Sequence, residues 1–164
     1  MKVRAFLADS VQSVDGKLYM LGAGWNRLTA GGFPARHDRV GIGVLITVDA
    51  GEGGEHSFEL SLLDGKELPL PLFADQSGAE HFALNASFHA QAPDAGLGEV
   101  QVPLALNLDG IAFPTPGTYT FSFRLDGAEA ERLPFRVDLA AIGVAGDAGP
   151  GTSTARGTTE PGYL

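Results

Sequence analysis

Residues 117–137 read GTYTFSFRLDGAEAERLPFRV, and their alternation decides the fold class. Tyr119, Phe121, Phe123 and Leu125 recur at every second position, with Thr120, Ser122 and Arg124 between them. Period two is the signature of a strand with one face in an apolar interior and the other toward water. Asp126-Gly127 follows directly, a pair that tolerates the positive backbone angles of a tight hairpin turn. A second run then returns with Leu133, Phe135 and Val137 inward. Residues 118–137 therefore predict a β-hairpin.

The same period extends outward along the chain. Val40, Ile42, Val44, Ile46 and Val48 form one inward set, and Phe58, Leu60 and Leu62 another. Phe82, Leu84, Ala86 and Phe88 form a third, and Val100, Val102, Leu104, Leu106 and Leu108 a fourth. No window of comparable length holds a helical stripe. Asp-Gly recurs at 15–16, 64–65 and 109–110 as a turn signal. Pro69, Pro71, Pro103 and Pro134 fall at outward positions, which places them on edges or bulges because proline cannot donate to a ladder. Short strands separated by turns predict an all-β fold, a two-layer antiparallel β-sandwich of Ig-like or C2-like architecture with about seven to nine strands. From residue 140 the chain turns to Gly, Ala, Thr, Pro and Ser, so residues 1–139 are expected to form the sandwich domain and 140–164 a flexible tail.

The chain has 164 residues, one domain's worth, with 44% hydrophobic and 19% charged residues. It has no cysteine, which removes disulfides and thiolate metal sites and fits a cytoplasmic location. The start, MKVRAFLADS, breaks its apolar run at Asp9, too early for a secretion signal, and nothing approaches the ~20 apolar residues of a membrane span. The net charge of −9 argues against nucleic acid as a partner. That charge is uneven: residues 1–39 carry six Lys or Arg against three Asp, a mildly basic segment suited to an acidic partner.

The segment DGKLYMLGAGWNRLTAGGFPARHDR, residues 15–39, is the stretch most like a site. A phosphate-cradling loop needs its glycines between a strand and a helix. Here Gly31, Gly32 and Pro34 break any helix, and no Gly-Lys-Ser/Thr occurs. The better reading is a hairpin, RAFLADSVQ against KLYMLGAGW, followed by a crossing to the next strand over residues 26–38. Trp25, the only tryptophan, is expected to plug one end of the core. Arg36, His37 and Arg39 crowd the crossing after Pro34. Trp25, Arg27, Arg36, His37 and Arg39 together are the candidate partner-binding loop.

Other chemistry fares worse. No Gly-x-Ser-x-Gly elbow and no cysteine nucleophile exist. The histidines at 37, 56, 81 and 89 show no zinc spacing; 81 and 89 lie roughly 27 Å apart on one extended run. Asp49, Asp64, Asp109 and Asp126 sit at strand ends where calcium could gather carboxylates, but each is also explained as a turn former. No metal and no cofactor is assigned.

The segments FLADSVQSVDGKLYMLGAGWNRL, FPARHDRVGIGVLITVD, GEHSFELSLLDGKEL and LALNLDGIAFPTPGTYTFSFRLDG, taken together, resemble an uncharacterised bacterial family known as a domain of unknown function. The resemblance covers about residues 3–137 and implies a compact β-sandwich, with no catalytic residue, substrate or cofactor attached. The expectation is therefore a non-enzymatic interaction or structural module, meeting a protein partner or a second copy at an edge strand or the 24–39 loop. The alternative is a ligand-binding sandwich that recognises carbohydrate, a lipid headgroup or calcium through loops at one end.

Overall fold

The structure, a computed structural model, describes residues 1–94 and 98–141. Among these there is no helix. The strands are β1 (Lys2–Ala8), β2 (Ser10–Val14), β3 (Lys17–Leu21), β4 (Arg27–Ala30), β5 (Ala35–Val48), β6 (Gly54–Leu63) and β7 (Pro69–Leu70). They continue with β8 (Phe73–Ala74), β9 (Glu80–His81), β10 (Ala83–Ala90), β11 (Val100–Phe113), β12 (Gly117–Leu125) and β13 (Ala128–Leu139). The protein is all-β, as the alternation requires. The tail expected from residue 140 falls, from 142 on, outside the described residues.

Two sheets share one core. The first has the order β1-β5-β11; the second runs β10-β6-β12-β13-β4, with β7 also on β6. The inward set of β5, Val40 to Val48, is fully buried, and it meets Phe58, Leu60 and Leu62 of β6 and Tyr119, Phe121 and Phe123 of β12 in the same cluster. The hairpin of residues 118–137 is β12-β13, closed by Asp126 and Gly127 with φ of 50° and 78°. Pro103 lies on β11, an edge strand, and Pro134 on the stretch of β13 that β4 has not yet joined. Both prolines therefore leave the ladders intact.

Several expectations need correction. Among the described residues there are thirteen strands rather than seven to nine; residues 69–81 alone hold three two-residue strands too brief for any period to show. One pair is parallel: β4 runs beside β13 with Arg27 opposite Arg136. The two are far apart in sequence, as a parallel neighbour must be. Asp109-Gly110 is not a turn. It lies inside β11, which stays in register with β5 on both sides, Asp109 opposite Arg39 and Ile111 opposite His37. The buried positions of β11 change parity there, from Leu108 to Ile111 and Phe113, and on β5 the half-buried Ala35 and His37 give way to the buried Val40, so the long pair coils at this point.

The third apolar set is only partly inside. Phe82 and Ala86 are exposed and Phe88 half-buried, and β10 is the outermost strand of its sheet, with a neighbour on one side alone. Conversely, Thr120 and Ser122, expected toward water, are buried. They lie on a central strand, and Arg132 of β13 reaches across it to Glu67 beyond the end of β6, at 2.7 Å. The register sets Arg132 opposite Ser122, so that bridge crosses the outer face of β12.

The N-terminal hairpin forms, but not as one pair of long strands. β1 joins β5 through Lys2–Thr47 to Ala8–Gly41. The chain then turns at Asp9, and β2-β3 makes its own small sheet, with Asp15 and Gly16 in the turn at φ 50° and 69°. This hairpin lies across the outside of the first sheet. A β-carbon on Gly43 would come within 2.9 Å of Leu18 Cδ2 and Met20 Sδ, and one on Gly41 within 3.0 Å of the Ser10 backbone. The two glycines in VGIGV thus occupy outward positions where the hairpin has no room for side chains. Asn107, outward on β11, acts as a substitute peptide: its Nδ2 donates to the Val11 carbonyl at 2.9 Å and its Oδ1 accepts from the Val11 N–H at 3.1 Å.

Candidate functional site

The crossing between the sheets makes the site. β4 ends at Ala30 on the second sheet, and β5 begins at Ala35 on the first. Gly31, Gly32, Phe33 and Pro34 span the gap, with a cis bond before Pro34. Under them opens a cleft of about 540 Å³. Its walls are the β4 residues Leu28 to Ala30 and the start of β5 through Arg36 and His37; Phe113 and Val137 give it an apolar floor.

The structure places the five candidate residues unequally. Arg36 and His37 line the cleft. Arg36 extends over Gly110, where a β-carbon would come within 2.7 Å of its guanidinium; the coil in β11 is therefore also the seat of this side chain. Among the described residues Arg36 makes no ion pair. Trp25 packs against the core with its ring edge on Phe135, centroids 5.9 Å apart, and on His37 at 6.3 Å. Its indole Nε1 is buried and is the one such side-chain atom without a hydrogen-bond partner among the described residues. A donor left in that state costs about 1–3 kcal/mol.

Arg39 and Arg27 are held elsewhere. Arg39 donates from Nε to Asp109 Oδ1 at 2.6 Å and from Nη2 to Oδ2 at 3.2 Å. The hydrogen bonds and the opposite charge raise its pKa and lower that of Asp109. Arg27 pairs with Asp138 at 2.7 Å, which Arg136 also holds. The sequence therefore located the cleft through Arg36 and His37 and missed Leu28, Phe113 and Val137. These come from three separate strands: the parallel β4-β13 pairing sets Leu28 opposite Val137, and the β11-β5 pairing sets Phe113 opposite Ala35.

The remaining histidines belong to carboxylates. His81 meets Asp75 at 3.1 Å and His89 meets Glu55 at 2.9 Å. His56 is the most enclosed. Its Nδ1 lies 2.7 Å from Asp126 Oδ2, its Nε2 lies 3.0 Å from the Glu52 carbonyl, and the Phe88 ring lies 5.7 Å away. Both nitrogens face acceptors, which favours the imidazolium, and an imidazolium has no lone pair for a metal or a proton. Among the described residues no three His, Asp or Glu side chains gather as metal ligands would. Of the four aspartates weighed for calcium, Asp109 and Asp126 are committed as described, and Asp64 accepts from the N–H groups of Lys66 and Leu68 in its own turn.

The hydrogen bond to Asp126 raises the His56 pKa above its usual value; burial opposes the rise, and the Glu52 carbonyl and the Asp126 and Glu52 charges add to it. A raised histidine stabilises the fold fully below about pH 6.5 and loses that contribution as pH climbs through the folded-state value. Asp126, lowered chiefly by His56, contributes above about pH 3.9 and loses it as acid brings the pH down through its folded value. His56→Gln is therefore expected to lower the melting temperature most near pH 6, with the deficit shrinking at alkaline pH. Equal deficits at both would contradict the pairing.

The fold and cleft define a class: an all-β module of two sheets around one core, with an open groove where the chain passes from sheet to sheet. The chain belongs to a family of unknown function (DUF6941), whose profile matches residues 3–138, the span the motifs indicated. No curated protein matches the sequence. Among solved structures the chain is similar to Pseudomonas fluorescens alkylpurine DNA glycosylase AlkC bound to DNA containing an abasic site analog, at 10% identity and a TM-score of 0.37, over 69% of this chain and 28% of that one. The chain thus spans about a quarter of that protein, and a likeness at this level carries no argument. Among the described residues no helix is long and apolar enough to cross a membrane.

Proposed function

We propose that this protein is a non-enzymatic, cytoplasmic bacterial interaction module. Its scaffold is read as a two-layer sandwich of Ig-like or C2-like type over residues 1–139, followed by a tail, and it takes an acidic segment of a protein partner at the Gly31–His37 cleft. The observation that carries this reading is Arg36. It is a guanidinium seated on Gly110 at the rim of a groove with an apolar floor, and it has no ion-pair partner among the described residues, while its neighbours Arg27 and Arg39 are both neutralised. A planar cation beside an apolar trough matches an acidic side chain adjacent to an apolar one. The backbone of Gly31 and Gly32 lets a partner chain approach closely. Engagement of both His56 nitrogens supports a structural rather than a catalytic use of that histidine.

The test is quantitative affinity capture from the native host with wild type and Arg36→Glu. Reversing an interfacial charge costs several kcal/mol, so at least one wild-type partner is expected to fall about tenfold or more. Arg27→Glu serves as a control, because its guanidinium is engaged outside the cleft. Equal recovery of every partner by wild type and Arg36→Glu contradicts the proposal.

A further inference from the structure

The free edge of the second sheet differs from the other edges. β11 carries Pro103 and supports the N-terminal hairpin through Asn107; β1 carries Lys2 and Arg4; β4 is four residues long. Each uses a device that discourages a further strand. β10, ALNASFHA, has none of them: it is eight residues long, without proline, lysine or a carboxylate. Among the described residues β6 is the only strand paired with it.

Its sequence is also self-complementary. Residues 81–89 read His-Phe-Ala-Leu-Asn-Ala-Ser-Phe-His. About Asn85, Phe82 mirrors Phe88 and His81 mirrors His89, while Ala83 and Leu84 mirror the small residues Ser87 and Ala86. Two β10 strands set antiparallel with Asn85 opposite Asn85 pair Ala83 with Ser87 and Leu84 with Ala86, and they set Phe82, at the bend just before β10, at the end of the seam beside Phe88 of the other copy, twice by symmetry. Within one copy an aromatic row already runs to this edge. Phe123 stacks on Phe58 at 5.4 Å, Phe58 meets Phe88 at 6.5 Å, and there the row stops. Phe82, 43% exposed, is the side chain that continues it in the second copy. At the two ends of the seam, His81 of β9 and His89 of β10 already hold Asp75 and Glu55, so each histidine meets the other copy with its charge compensated.

We propose that a second copy of this chain pairs with β10 by antiparallel strand addition centred on Asn85, joining two second sheets into one continuous sheet with isologous symmetry. Cross-strand aromatic pairs contribute modestly, and one strand–strand contact falls in the small-interface class. A reversible dimer with a dissociation constant on the order of tens to hundreds of micromolar is therefore expected. This site is separate from the Arg36 cleft, and its failure leaves that reading untouched.

The absence of native cysteine makes a register-specific test possible. Facing β-carbons in an antiparallel pair lie about 4.5–5.5 Å apart, near the span a disulfide bridges. Asn85→Cys should therefore give a covalent dimer under mild oxidation. Ser87→Cys, displaced from its own copy by about 13 Å along the strand, should not. Phe82→Lys should leave the melting temperature unchanged and abolish the concentration dependence of wild-type sedimentation. Wild type that sediments as a monomer up to about millimolar, or equal cross-linking of Asn85→Cys and Ser87→Cys, overturns the proposal.

Discussion

Phe135→Ala is expected to remove about 3–5 kcal/mol of stability, the range for truncating a buried phenylalanine. Phe135 is 2% exposed and stands at the centre of the aromatic cluster. It stacks on Phe121 at 5.3 Å and Tyr119 at 6.0 Å, and it meets Phe113 and Trp25 edge-on at 5.7 and 5.9 Å. Those rings come from both sheets and from the segment leading to β4, so the cavity left behind has walls that cannot all collapse into it. For a domain whose total stability is about 5–15 kcal/mol, the loss is a large fraction. Urea unfolding measures it, and the emission of Trp25, the sole tryptophan, reports whether its seat is lost in the folded variant. A loss under about 1 kcal/mol with unchanged emission would mean that Phe135 does not join the two sheets.

Gly41→Val is the second large effect. The added β-carbon would lie 3.0 Å from Ser10 C and Cα and 3.1 Å from Ser10 N. These are backbone atoms, held by the turn at Asp9 and by the hydrogen bond from the Asp9 N–H to the Leu21 carbonyl at 2.9 Å. They cannot rotate away, so the hairpin must lift, and the Asn107 bonds to Val11 go with it. Overpacking of this kind costs about 1–3 kcal/mol, and an undocked β2-β3 should lose amide protection while β5 and β12 keep theirs. Gly43→Ala is the informative contrast. The atoms nearest its new β-carbon are Leu18 Cδ2 and the end of Met20, side-chain tips that can turn aside, so its effect should be much smaller. Equal effects for the two variants, with hairpin amides still protected in Gly41→Val, would contradict the docked arrangement.

These two variants also mark how far the sequence could be read. The inward sets of β5, β6 and the β12-β13 hairpin are stated by alternation, because a central strand has one covered face and its side chains report it directly. Alternation says nothing about a third layer. Gly41 and Gly43 occupy outward positions in VGIGV and look like weak strand residues; only the hairpin pressing on them explains their size. Asp109-Gly110 has the composition of a turn yet serves as a coil within a continuous strand, because β5 supplies a partner on both sides. Thr120 and Ser122 look like surface residues, but they are buried on a central strand whose outer face is crossed by a salt bridge between segments far apart in sequence. The cleft was half legible. Arg36 and His37 stand out as charge clustered after a proline, whereas Phe113 and Val137 reach it through strand neighbours that no local pattern discloses.

On the proposed reading, the Gly31–His37 crossing holds a groove open for an acidic partner, with Arg36 as its free charge. The direct measurement is a titration of the ¹⁵N-labelled chain with an oligoglutamate peptide carrying one apolar residue, followed by amide and indole resonances. The expected result is saturable shifts at Gly31, Gly32, Arg36, His37 and the Trp25 indole, lost in Arg36→Glu and kept in Arg27→Glu. Shifts absent from those residues, or unchanged by Arg36→Glu, would contradict it.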